Sequence, residues 1–222
     1  MQRDLTLAPP EAAPAHAAAN GASRDLRFLS RTIAREYPAA SAQHGVVLAF
    51  SCPDEDALCA DFMLLQADAL CSELESTVLL VDARGSRHGG GITERLGLGG
   101  LPGVSDTIAA GPGAPAPPLC ATGAPGVFVL PAGGGPAVGT SSFELGLASL
   151  LTWARPRYRH VLLQVGSVVA DTRDLVAALQ ADGIVLVARE HRTMVSALDE
   201  ASAVLRENGA RDVSAVLVEA AP

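Results

Sequence analysis

Six short runs of almost continuous apolar residues recur along the chain, and their spacing limits the fold more than any other feature. They are Val46–Phe50, Thr77–Asp82, Val127–Leu130, Tyr158–Val165, Gly183–Ala188 and Val213–Val218. Each has strand length, and most lack the apolar/polar alternation of a strand with one wet face. Between them lie segments of helical period. Ser23–Tyr37 carries a stripe of Leu26, Leu29, Ile33 and Tyr37, with Ser23 as N-cap. From Ala57 onward Leu58, Phe62, Leu65 and Ala69 share a face. Further helices are expected near Thr93–Leu98, over Val104–Ala110, from a Ser141 or Ser142 cap to Ala154, over Thr172–Ala181 and over Thr193–Asn208, the last stopped by Gly209. Ala110–Gly126 reads as loop by its glycines and prolines. Strands buried on both sides and alternating with helices predict an α/β fold. The expected form is a doubly wound, mostly parallel sheet with helices on both faces, in three layers.

A chain of 222 residues suffices for one such domain. Residues 1–22 are Ala/Pro-rich with little to bury, and are read as a disordered or loosely docked tail before a domain over 23–222. A net charge of −8 argues against a nucleic-acid or anionic-membrane surface. No apolar run approaches the roughly 18 residues of a membrane span, and no signal-peptide core is visible at the N-terminus. Cys52, Cys59, Cys71 and Cys120 form no CxxC pair and have no histidine at ligand spacing. They are expected to be free thiols of a reducing compartment, and no metal centre is expected.

The segment Gly45–Ala69 has the outline of a phosphate-binding strand–loop–helix without the residues that bind phosphate. A P-loop reads GxxxxGK[ST]: glycines let backbone N–H groups wrap the phosphates, lysine reaches the β/γ oxygens and the hydroxyl holds Mg²⁺. Here the loop Ser51, Cys52, Pro53, Asp54, Glu55, Asp56, Ala57, Leu58 has no glycine. Its three carboxylates suit a helix N-terminus and repel a triphosphate. All sixteen basic residues of the chain are arginines, so no lysine can be supplied from elsewhere.

The order of these stretches resembles the cytoplasmic ATPase domain of bacterial tyrosine kinases. That family accompanies capsule and exopolysaccharide co-polymerases and shares the deviant-Walker class with plasmid-partition and division-site ATPases. SRDLR (Ser23–Arg27) resembles the arginine-bearing helix through which such kinases associate into rings. VVLAFSCPDED resembles the Walker A strand and loop, and TVLLVDAR (Thr77–Arg84) the Walker A′ strand. LGLGGLPGVSDTIAAG (Leu96–Gly111), VFVLPAGGG (Val127–Gly135), RYRHVLLQV (Arg157–Val165), DGIVLVAREHRT and LRENGARDVSAVLV follow in the family's order, over about nine-tenths of the chain.

The departures fall on the chemistry that the resemblance implies. The Walker A glycines, lysine and hydroxyl are lost, with Ala57, Leu58 and Cys59 near their places. Walker A′ keeps Asp82, but its second aspartate is Arg84. The Walker B aspartate is Gln164, a poor metal ligand. The adenine-contacting asparagine is Val218. The acidic residue before the ring-forming arginines is Gly21. The phosphoacceptor tyrosine cluster has no counterpart, Tyr37 and Tyr158 being the two tyrosines. The resemblance therefore implies a pseudo-ATPase with no catalytic residue, cofactor or metal. Its place is expected in the cytoplasm at the inner membrane, docked on the cytoplasmic part of a polysaccharide co-polymerase, with self-association possible. Two alternatives stay open: an active tyrosine kinase or ATPase with an atypical site, and a partition-type positioning protein.

Several residues admit two readings at this level. Asp82 holds a metal or caps a neighbouring N–H. Asp54, Glu55 and Asp56 meet a basic partner or cap a helix. Arg84, Arg87 and His88 bind an anion or belong to a solvated loop, the latter being expected. Arg24 and Arg27 form an interface or a solvated face.

Overall fold

The structure is a computed structural model that describes residues 24–38, 44–54, 56–84, 89–111, 116–136 and 138–219. The expected tail, the Ser23 cap, Glu55, the Asp56 carboxylate, Arg87 and His88 lie outside the described part. Seven strands form one sheet: β1 (Val46–Ser51), β2 (Val78–Asp82), β3 (Cys120–Ala121), β4 (Val127–Leu130), β5 (His160–Gln164), β6 (Gly183–Arg189) and β7 (Val213–Val218). Their order is β3-β4-β2-β5-β1-β6-β7, and every pairing is parallel except β3 with β4. The helices are α1 (Arg24–Glu36), α2 (Asp56–Leu74), α3 (Ile92–Arg95), α4 (Val104–Ala110), α5 (Thr140–Ala154), α6 (Thr172–Ala178) and α7 (Val195–Glu207).

Alternate residues of the strands feed two cores, as the strand period of two requires. Val47 and Ala49 pack with α4, α5, α6 and α7 on one face. Leu48 and Phe50 pack with α2, Ile92 of α3 and the inner side of α1 on the other. The three-layer α/β/α arrangement is the one the apolar runs imply.

Differences from the sequence reading have local causes. Leu65 was expected on the inner face of α2 but is half exposed (52%), because the buried arc of α2 instead runs through Cys59, Phe62, Met63, Ala67 and Leu70. On its outer side α2 is covered by α1, where Gln66 Nε2 donates to the buried Ser30 hydroxyl at 2.8 Å. Helix α5 begins one residue before the expected serine caps, at Thr140 after Gly139. Helix α3 is a single turn ending at Arg95. The stretch read as loop contains β3, a two-residue edge strand too short to leave a pattern.

Two ties close the start of the sheet. Arg155 donates to both Asp182 oxygens at 2.7 and 3.0 Å, and Asp182 Oδ2 also accepts the Val47 N–H at 2.8 Å. Gly45 must be glycine, since a Cβ there would sit 1.8 Å from the Tyr158 carbonyl oxygen.

Candidate functional site

In an open parallel sheet the crevice for ligands lies beyond the carboxyl ends of the strands, where crossovers diverge. In this sheet the central ends belong to β1, β5 and β2. Register sets Gln164 beside both Phe50 and Asp82, so Ser51, Gln164 and Asp82 mark one edge. Three of the positions singled out in the sequence are thus brought together.

What surrounds them is protein. Arg84 stands two residues after Asp82, and its fork turns back on that carboxylate: Nε donates to Oδ1 at 2.9 Å and Nη2 to Oδ2 at 3.1 Å. Nη2 also donates to Glu94 Oε2 at 2.6 Å. Asp82 Oδ2 further accepts the Thr93 N–H at 3.1 Å and the Thr93 hydroxyl at 2.6 Å. The Thr93 oxygen in turn accepts the Ala132 N–H at 2.9 Å, so one carboxylate gathers the ends of β2 and β4 and the start of α3. Burial alone lowers the Arg84 pKa, but the hydrogen bond and charge of Asp82, then Glu94, outweigh it and raise it, so the guanidinium is a fixed cation.

The expectation that Arg84 belongs to a solvated loop is therefore overturned. Its side chain is 2% exposed, because a neighbouring carboxylate compensates its charge and the Gly91 backbone lies flat against it. A Cβ at Gly91 would fall 1.9 Å from Arg84 Nη2. The reading of Asp82 as a cap is met by Thr93, with Arg84 added.

The remaining positions are also engaged. Gln164 Oε1 accepts the Ile92 N–H at 2.8 Å. The buried Ser51 hydroxyl donates to the Gly166 carbonyl at 2.7 Å. Cys52 and Leu58 are buried, Pro53 and Ala57 half-buried, and Asp54 is exposed at the entry to α2. Gly90, at φ +103°, lays its backbone over the first turn of α2, 3.1 Å from Ala57 N to where its Cβ would be. Val218 is half-buried in β7, and its carbonyl accepts the Glu190 N–H at 2.9 Å. These residues do not fit a magnesium nucleotide of the kind a working P-loop holds. Asp82 already receives Arg84 and Thr93, Gln164 an amide, and the α2 entrance is overlain by the chain's own glycine segment.

Arg24 and Arg27 lie elsewhere, on the outward side of α1. Arg24 is exposed, and Arg27 lies 3.4 Å from Glu73 of α2, which also accepts from Arg31 at 3.2 Å. All four cysteines are free, and burial pushes the Cys71 thiol up to about 11.

Four participants went unseen in the sequence: Thr93, Glu94, Ser105 and Arg173. Glu94 has a local signal, since it follows Gly91 by three and its carboxylate accepts the Gly91 N–H at 2.9 Å, as a capping residue does. Ser105 and Asp106 clamp a glycine turn. Ser105 Oγ accepts the Gly135 N–H at 3.0 Å, and Asp106 Oδ2 accepts those of Gly103 and Gly134 at 2.9 and 3.0 Å. Arg173 has no such signal.

Comparison with family models and with curated protein sequences gives no match. Solved structures do match. The VpsO kinase domain superposes with a TM-score of 0.71 at 20% identity, over 89% of this chain and 95% of that one. The kinase domain of the Escherichia coli tyrosine kinase ETK gives 0.68 at 19%, over 89% and 76%. MinD from Aquifex aeolicus gives 0.56 at 15%, over 78% and 69%. The chain thus has the fold of bacterial tyrosine-kinase domains and, at greater distance, of MinD.

Proposed function

We propose that this chain is a non-catalytic relative of the bacterial tyrosine kinases that serves exopolysaccharide or capsule biosynthesis and export as a docking module. Its partner is the cytoplasmic part of an inner-membrane polysaccharide co-polymerase, which places the chain in the cytoplasm beneath that membrane. The observation that carries the reading is the buried Arg84–Asp82 pair. Phosphoryl transfer depends on a metal ion and a mobile cation around the transferred group. Here a fixed guanidinium neutralises the one retained carboxylate, and no lysine exists to replace the lost one.

The docking surface of this reading is the outer side of α1. Phe28 is 71% exposed there, beside Arg24, Arg27, Arg31 and Arg35. An exposed aromatic among arginines is the composition of an interface centre. Arg24 and Arg27 are the contacts assigned to a carboxylate-bearing partner, a co-polymerase segment or a second copy. The decisive experiment is phosphate release and nucleotide calorimetry on the purified protein with Mg²⁺-ATP, alone and with the co-polymerase cytoplasmic segment. Background turnover, together with complex formation lost in Arg24→Glu/Phe28→Ser, is the expected result. Hydrolysis above background that disappears in Asp82→Asn would return the chain to the active kinases.

A further inference from the structure

A cleft of about 280 Å³ opens between the ends of β2 and β4 and helices α4, α5 and α6. Asp82, Arg84, Ser105, Pro136, Phe143 and Arg173 are among the residues around it. A water occupies about 30 Å³ of liquid, so the cleft has room for a small ion and its waters, or for a small ester. Asp82 and Arg84 close one wall of it, and Ser105, Phe143 and Arg173 bring groups from α4, α5 and α6.

Arg173 is its distinctive group. The guanidinium carbon lies 4.5 Å from the centre of the Phe143 ring, which fixes the plane of the fork. Its Nε is buried and has no hydrogen-bond partner among the described residues. One oxygen of each adjacent carboxylate holds a backbone amide. Asp171 Oδ1 accepts the Arg173 backbone N–H at 2.8 Å, and Asp174 Oδ1 accepts that of Gly166 at 2.8 Å. A buried N–H donor without a partner is uncommon and calls for a missing acceptor. Ser105 adds a second donor. Its oxygen already accepts from Gly135, which leaves the hydroxyl proton to be given away. Asp82, the one carboxylate among the described lining residues, is held by Arg84, which leaves Arg173 as the lining cation not engaged by a carboxylate of the wall.

We propose that this cleft binds a phosphate group, free or at the end of a small ester, with Arg173 as the bidentate donor and Ser105 as the hydroxyl donor. A planar fork with parallel N–H donors matches two oxygens of a tetrahedral oxyanion, and a third oxygen suits the serine. The site shares Asp82 and Arg84 with the buried pair but is separate from the docking surface on α1, so phosphate binding through Arg173 and Ser105 and docking through α1 are tested independently.

The test is a titration of the full chain with inorganic phosphate, methyl phosphate and acetate at constant ionic strength. It is followed by NMR through the Arg173 Nε–H resonance and by calorimetry. Saturable phosphate binding near ~1 mM, with the Arg173 signal moving, is expected. Arg173→Gln should weaken it at least about tenfold, the loss of one charge-assisted pair. Arg173→Lys should weaken it less, and Ser105→Ala by about threefold, each with an unchanged circular dichroism spectrum. Methyl phosphate binding as well as phosphate supports an ester ligand; its exclusion by size supports the free ion. No saturable shift up to ~50 mM phosphate, equal binding by Arg173→Gln, or acetate bound as tightly as phosphate would each overturn the proposal.

Discussion

Asp82 and Arg84 stand on the same side of an extended backbone, two residues apart, and meet as a bidentate ion pair with side chains 0% and 2% exposed. Period-two geometry at a strand end makes this convergence automatic once both residues are present. The pair makes the end of β2 a closed structural joint.

Breaking that joint from one side should be costly. Arg84→Met leaves a buried carboxylate with only Thr93 as donor, and removal of one partner of such a pair costs about 3–5 kcal/mol. Adding Asp82→Asn removes the stranded charge and should recover a large part of that loss. Urea unfolding of the two single variants and the double variant measures this as a coupling energy. Additive effects would show that the two groups do not depend on each other.

Gly91→Ala tests how closely the backbone lies on the guanidinium. Its φ of −82° is open to any residue, so the effect is steric and not conformational. A methyl 1.9 Å from Arg84 Nη2 forces either the fork or the α3 turn to move. The expected loss is about 1–3 kcal/mol, as for overpacking in a dense interior. The Arg84→Met background should relieve most of it. A variant as stable as the parent would mean that the glycine segment lies looser than described.

The sheet was legible because each of its main strands is an apolar run bounded by polar or glycine-rich sequence. The pattern placed β1, β2, β4, β5, β6 and β7 close to their observed limits. What it could not show was which of two neighbours completes each buried charge. Arg84 sits in a glycine-rich stretch whose composition signals exposure, yet its partner Glu94 lies ten residues on, across a turn. Arg173 faces a ring of another helix, Phe143, thirty positions earlier in the chain. Such pairings arise from packing between layers and leave no local periodicity. Leu65 misled for the related reason that α2 is covered on two sides, which blurs the amphipathic stripe.

His160 gives the chain an acid-sensitive point. It lies at the start of β5, 2% exposed, and its Nδ1 has no hydrogen-bond partner. Burial, then the charge of Arg159, lowers its pKa from 6.5 to about 4. The unfolded chain therefore binds this proton first as pH falls. Stability contributed by the neutral ring is complete above pH 6.5, declines through the window down to 4 and is gone below it. At ~1.4 kcal/mol per unit the loss approaches ~3 kcal/mol. Denaturant midpoints between pH 7 and 4 should fall in the parent and fall less steeply in His160→Gln. Identical slopes would place the acid sensitivity elsewhere.

The two sides of α1 should respond oppositely to substitution. Ile33 is 4% exposed against α2, and Ile33→Ala should cost about 2–5 kcal/mol by leaving a cavity. Phe28, on the outer side, touches mainly solvent, and Phe28→Ser should stay within about 0.5 kcal/mol of the parent. Arg24→Glu should behave likewise, because an exposed charge gains little from its surroundings. Arg27 and Arg31 are 48% and 73% exposed but the Glu73 carboxylate they share is 18% exposed, so Glu73→Gln should cost more than a surface pair, about 1–2 kcal/mol. Thermal unfolding of the four variants separates the sides. If Phe28→Ser unfolds as readily as Ile33→Ala, the aromatic ring belongs to the core, and α1 has no free side left to offer a partner.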